Sequence, residues 1–153
     1  MSVADKLFLR KLKCLGPLVG LALTTMLTAC AVNSANTATL ENTYWRLLTL
    51  RGKPIELSAD QREPHLILQT AQKRLVGSGG CNRLMGSFTV DGAHLSFGRT
   101  ASTMMACPQG MEQERAFLDA LSSAARWRID GQRMQLRSES DETLAEFEAR
   151  NMQ

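Results

Sequence analysis

The sequence predicts an α+β domain, with an antiparallel sheet curled around or against a single helix. Apolar residues alternate at period two around two Asp-Gly pairs, Asp91-Gly92 and Asp130-Gly131, which is a hairpin pattern. One stretch, Pro108 to about Ala125, carries a helical period instead. Strands, one helix and strands again, in that order, belong to the α+β class. No strand–helix–strand series supports a parallel nucleotide-binding sheet.

The chain opens on a leader rather than on the domain. Lys6, Arg10, Lys11 and Lys13 make a basic start, and Leu15 to Leu27 is an uncharged run that ends in small residues before Cys30. A spanning helix needs about 20 apolar residues, so this run is too short to cross a bilayer. A basic start, short apolar middle and small-residue exit read as a secretory signal. The charges sit at one end rather than on one face, unlike those of a buried amphipathic helix. Leu27-Thr28-Ala29-Cys30 resembles the lipobox of bacterial lipoproteins. That resemblance implies removal of residues 1–29 and acylation of Cys30, the new first residue. Each buried CH₂ of an acyl chain contributes roughly 0.8 kcal/mol, so several chains on one Cys hold firmly. The next residue is Ala31 rather than Asp, which by the same resemblance implies the outer membrane.

The leader accounts for the chain's net charge of +3. It holds four of the 18 basic and one of the 15 acidic side chains, which leaves 14 of each in residues 30–153. A neutral domain lacks the basic face that phosphate neutralisation requires, so no nucleic-acid partner is expected. Residues 30–42 are small and polar, without an apolar period, and read as a flexible tether. Residues 43–150 then form one domain, long enough for one core.

Within it, Thr43 to Leu50 is rich in strand formers and stops at Gly52 and Pro54. His65–Leu68 and Arg74–Val76 read as the next strands, and Gly77-Ser78-Gly79-Gly80 breaks the pattern. Ser87–Val90 and His94–Phe97 flank the first Asp-Gly pair. The helix is expected from Pro108, which suits a first helical turn. Met111, Phe117, Leu118, Leu121 and Ala125 would face the core, and Glu112, Glu114 and Asp119 would complement the helix dipole. Trp127–Ile129 and Met134–Leu136 flank the second Asp-Gly pair, and Leu144–Phe147 is the last strand.

Little in the chain resembles catalytic machinery. Gly77-Ser78-Gly79 is not the Gly-x-Ser-x-Gly elbow of hydrolases, and Gly77–Gly80 lacks the Lys-Ser/Thr of a phosphate loop. His65 and His94 are the only histidines and sit in apparent strands, with no zinc spacing. Glu112 with Glu114, and Asp141 with Glu142, read as a helix start and a turn rather than as acid–base pairs. Arg83 and Arg99 are candidates for lining an anion groove. No enzyme activity, cofactor or metal site is expected from these residues.

Several segments together identify a family. Gly79-Gly80-Cys81-Asn82-Arg83, Gly86-Ser87-Phe88, Thr103-Met104-Met105-Ala106-Cys107-Pro108, and Glu114 with Phe117 and Leu118 resemble the META domain. This is the domain of the heat-shock protein HslJ and its lipoprotein relatives. Tyr44-Trp45-Arg46-Leu47 and Leu144-Ala145-Glu146-Phe147 fit the same pattern. The motif residues carried over are Gly80, Cys81, Asn82, Gly86, Thr103 and Cys107. The resemblance implies a cracked antiparallel β-barrel with a packed helix, links to envelope stress and tolerance, and no established catalytic residues.

Cys81 and Cys107 are the only thiols left once Cys30 is acylated and the leader, with Cys14, is gone. An even pair in an exported chain reads as a disulfide, with two free buried thiols as the alternative. Met85, Met104, Met105 and Met111 lie near them in sequence, and soft sulfur donors select Cu(I). The competing expectation puts Met104 and Met105 on opposite faces of a strand, with one packing inward, and turns Met111 to the core. Asn82, after a bridged Cys in a Gly-rich turn, is expected to hydrogen-bond nearby backbone. The functional expectation is a non-enzymatic envelope lipoprotein acting through protein contacts. Its alternatives are a pilot- or carrier-like module holding a lipid tail or apolar peptide, and a copper binder.

Overall fold

A computed structural model describes residues 37–151. The leader and Cys30 lie outside the described residues. The strands are β1 (Tyr44–Leu50), β2 (Lys53–Pro54), β3 (His65–Gln69), β4 (Arg74–Ser78), β5 (Arg83–Asp91), β6 (His94–Phe97), β7 (Ala101–Ser102), β8 (Arg126–Asp130), β9 (Arg133–Arg137) and β10 (Thr143–Arg150), with helix α1 (Met111–Ser123) between β7 and β8. Both hairpins form where the apolar alternation places them. Asp91 and Asp130 pair as the last strand residues, with His94 and Arg133. Gly92 and Gly131, with φ of 56° and 57°, open two-residue loops. A glycine at the first loop position matches the type II′ geometry that suits strand twist.

Eight antiparallel strands run in the order β10-β9-β8-β6-β5-β4-β3-β1, and pairing of β1 with β10 closes the circle. The two-residue strands β2 and β7 attach to β1 and β5. Closure removes the exposed edges that an open sheet would leave. The thinnest seam lies between β6 and β8, where His94–Arg126 is the single register pair. Two backbone bonds reinforce it, from Leu95 N–H to the Ala125 carbonyl (3.0 Å) and from Trp127 N–H to that of Ala93 (3.1 Å). The expected antiparallel barrel with one packed helix is present, and only the α+β balance is corrected. The domain is a closed, mainly β barrel, and α1 is the one α-helix among the described residues.

The period-two pattern fills the interior. Trp45 and Leu47, Leu66 and Leu68, Leu84 and Phe88, and Met134 and Leu136 alternate inward and are buried. In β10 a register shift between Thr143 and Ala145 lets both Leu144 and Ala145 face inward before Phe147. Helix α1 adds Phe117, Ala120 and Leu121, and Phe117 meets Phe147 with ring centroids 6.0 Å apart. The helix starts later than Pro108 suggests. Gly110 precedes it with φ of 82°, outside the helical range, and Met111 at its first turn is 39% exposed. The inward position expected of Met111 is thus overturned, because the chain turns into the helix only after Gly110.

The tether also ends earlier than its composition suggests. Leu40 is buried, and its carbonyl accepts the Trp45 indole N–H (2.9 Å). Ala38 N–H donates to the Gly131 carbonyl (2.8 Å), and Asn42 N–H to that of Leu68 (2.8 Å). Residues 38–42 therefore belong to the folded domain. Small polar residues conceal this, because their anchoring uses backbone groups, the Asn42 amide on Thr70, the Glu41–Lys73 pair and one leucine rather than a periodic stripe.

On the outer face, Tyr44 stacks on His65 (4.4 Å) and its hydroxyl donates to Glu63 Oε1 (3.2 Å). Burial first, then the negative charge of Glu63, pushes the phenol from 10 up to about 12. A raised pKa means the fold favours the protonated phenol. That stabilisation is complete below pH 10 and is lost as pH rises through about 12. Tyr44 is the chain's single tyrosine, so tyrosinate absorbance reads it directly. Its midpoint is expected near 12 and should move back toward 10 in Glu63→Gln. A wild-type midpoint at 10 would contradict the buried contact.

Candidate functional site

Five of the six motif residues, all but Gly86, meet at one place, where the turn between β4 and β5 lies under the loop from β7 to α1. Cys81 and Cys107 are bridged, with their Cα atoms 6.1 Å apart. Beside the bridge, Asn82 is 2% exposed and Glu114, from the first turn of α1, is 3% exposed. Asn82 N–H donates to Glu114 Oε2 (2.7 Å) and Asn82 Nδ2 donates to Oε1 (2.8 Å). The amide oxygen of Asn82 accepts from Thr103 Oγ1 (2.8 Å) and from Met105 N–H (2.8 Å). Thr103 Oγ1 in turn accepts from Arg83 N–H (3.1 Å). One buried amide thus ties the turn, the loop and the helix together. Asn suits this role because it offers donor and acceptor on a short arm.

The glycines make room for it. A Cβ at Gly79 would collide with the Glu114 side chain, and Gly80 has φ of 114°, a conformation that L side chains rarely adopt. Ser78 is buried, and its hydroxyl accepts from Gly80 N–H (3.1 Å), a turn-closing role. Gly86 lies on β5 against the Arg99–Thr100 backbone. The Asn82 expectation is corrected, since its side chain makes no bond to the backbone of its own turn among the described residues. Its partners are the Met105 backbone and two side chains far along the chain, Thr103 and Glu114.

Glu114 is not merely a helix-start acid. It shares the inward face of α1 with Phe117 and Leu121. An acid on an apolar stripe was the available signal, since a buried charge needs partners. Glu112, its neighbour in sequence, is exposed. Met104 and Met105 are 100% and 59% exposed, so neither packs inward. The segment they occupy is a loop anchored by the Thr103 hydroxyl, the Met105 backbone and the Cys107 bridge, not by the two methionine side chains. The bridge also takes up both thiols on which soft-metal binding would depend. Arg83 and Arg99 are exposed, and neither lines the grooves described here. His65 is half-buried against Tyr44, and His94 is exposed at the seam. Among the described residues, no group of three or more His, Cys, Asp or Glu is placed to hold a metal.

Next to the hub, the chain between β2 and β3 meets the start of α1. Ser58 Oγ donates to Gln109 Oε1 (2.6 Å), Gln61 Nε2 donates to the Gln109 carbonyl (2.8 Å), and Glu56 N–H donates to Gln113 Oε1 (3.0 Å). A groove of about 690 Å³ lies there, with Leu50, Pro54, Ile55 and Ala116 as its apolar lining.

The META domain family model matches residues 38–151. The chain belongs to the META domain family. The NMR structure of a protein from Burkholderia xenovorans is similar to this META domain at 28% identity, with a TM-score of 0.60. That match covers 74% of this chain and 85% of the other. A second NMR structure, at 24% identity and a TM-score of 0.55, covers 71% and 90% and shares the fold. A comparison with curated proteins finds no match. In this META domain the residues around the bridge form a structural clamp. Both Glu114 oxygens, both ends of the Asn82 amide and the Thr103 hydroxyl are engaged within it.

Proposed function

We propose that this META-domain chain is a non-enzymatic lipoprotein of the bacterial envelope. It is held through acylated Cys30 in the outer membrane, facing the periplasm, and supports envelope stress tolerance or integrity through protein contacts. The observation that carries this reading is the engaged polar hub. Its acid and amide are spent on holding the loop, not directed toward a substrate. The filled interior supports the same reading. Trp45, Phe88, Phe117 and Phe147 are at most 1% exposed, so side chains occupy the space in which a carrier would hold an acyl tail. A carrier of apolar peptides would instead use the groove beside α1, whose lining includes Leu50, Pro54 and Ile55. The exposed Met104 and Met105 offer adaptable apolar contacts to a protein surface. Copper binding is the weaker alternative, since with both thiols bridged it would rest on thioethers alone.

The test is the intact mass of the protein extracted from bacterial membranes, with thiols labelled under denaturation. The expected result is a chain that begins at a diacylated or triacylated Cys30 and takes up no label. Cys30→Ala should release the protein from membranes, and continued retention would sink the anchor. Labelled Cys81 and Cys107 would reopen copper binding.

A further inference from the structure

The β8–β9 hairpin carries a charge pattern that neither the fold nor the hub explains. Its buried face is Met134 and Leu136, with Trp127 and Ile129 packed against the core. Strand alternation places Arg126, Arg128 and Asp130, with Arg133, Gln135 and Arg137, on the other face. Arg126 stands directly opposite Arg137 in register, a like-charge pairing that disfavours the sheet. At that end the charges are answered, Arg126 by Glu139 (3.4 Å) and Arg137 by Asp141 (2.9 Å). Toward the turn at Gly131 no ion pair forms among the described residues, although Asp130 on β8 and Glu148 on β10 stand opposite Arg133 in register. Arg128 and Arg133 are exposed and make no ion pair among the described residues.

The two free guanidinium groups border a depression of about 420 Å³ that Asp130, Met134, Gln135 and Glu146 complete. Glu146 is occupied there by Gln135 (2.8 Å) and Thr49 (3.2 Å). Asp130, across from Arg133, is the one acid on this hairpin face.

The same turn is where the chain joins the barrel, through the bond from Ala38 N–H to the Gly131 carbonyl. Cys30 and Ala38 are eight residues apart. Even fully extended, that segment reaches about 28 Å. We propose that the outward face of the β8–β9 hairpin docks on the anionic headgroups of the membrane that holds the chain, with Arg128 and Arg133 as the contacts. The inference rests on acylation of Cys30, which keeps the turn within reach of the bilayer. Within the hairpin, the unpaired arginines lie at the turn that Ala38 joins and the paired ones at the opposite end, and this polarity sets the proposed orientation. The 138–142 turn, with Glu139, Asp141 and Glu142, then faces away from the membrane.

The experiment uses the processed protein, purified from membranes and reconstituted into phosphatidylcholine vesicles with or without phosphatidylglycerol. Phenylglyoxal modification at each arginine is followed by peptide mass. On anionic vesicles Arg128 and Arg133 should react about fivefold more slowly than on neutral ones. The protection should vanish near 1 M salt, where the screening length shrinks to about 3 Å. Arg51, bound to Glu142 at the other end (2.9 Å), should react equally on both. Equal rates at Arg128 and Arg133 on both vesicles, in protein that is acylated and floats with them, overturn the docking surface alone. Protection that arises only in whole envelopes overturns it in favour of an acidic protein partner. A chain that is not acylated at Cys30 overturns both the anchor and the docking surface.

Discussion

Glu114→Ala should destabilise the domain by about 4 kcal/mol, because two donors of Asn82 lose their acceptor at once. Each buried donor left without a partner costs about 1–3 kcal/mol, and the clamp on the β7–α1 loop loosens with it. For a domain of this size the melting temperature should fall by roughly 15 °C. Glu114→Gln separates charge from geometry. Its amide keeps one acceptor but turns an NH₂ group toward the other Asn82 donor, so most of the loss should remain. The control is Glu112→Ala, two residues away and exposed, where a change within about 0.5 kcal/mol is expected. Thermal denaturation followed by circular dichroism distinguishes them. If Glu114→Ala melts with Glu112→Ala, the hub does not hold the loop.

That hub shows where sequence reasoning reached and where it stopped. Trp45 with Leu47, Leu66 with Leu68, and Met134 with Leu136 declare their strands and their buried face by alternation alone. The closure of the barrel has no such local trace. Tyr44 pairs with Arg150 across nearly the whole domain, and no period in either strand encodes that partner. The two-residue strands β2 and β7 are too short for any pattern. The first half of β5 was hidden by Gly86 and by Met85, which is 48% exposed. Pro108 gave a helix-start signal that Gly110, three residues from the bridged Cys107, overrode. Leu40 lay among tether-like residues yet closes over Trp45.

The site was legible as a motif but not as a mechanism. Gly80, Cys81, Asn82, Thr103 and Cys107 could be singled out from their spacing and their resemblance to a family. What Asn82 does depends on Glu114, 32 residues away, and only the fold brings them together. The acid within the Phe117–Leu121 stripe was the visible inconsistency between pattern and environment. Such conflicts between levels mark positions with a specific job. Here that job is to fix a loop whose Met104 and Met105 side chains stay exposed.

Opening the Cys81–Cys107 bridge should have the other large effect. The cysteines are 26 residues apart, and releasing a loop of that size costs about 3.5 kcal/mol in the chain-entropy model. Cys81→Ser with Cys107→Ser should therefore melt well below the oxidised protein, and an unchanged melting point would remove the bridge from the account of stability. The more telling measurement combines this with Asn82→Ala. In the bridged protein the loop is held over the vacated amide, so Glu114 Oε1, the Thr103 hydroxyl and the Met105 N–H lose their partners in place. Without the bridge the loop can lift and let water reach Glu114, which lowers the cost of the same substitution. The two costs should therefore fall short of additivity by about 1 kcal/mol. Sums that agree within about 0.5 kcal/mol would mean that bridge and amide act on separate parts of the fold.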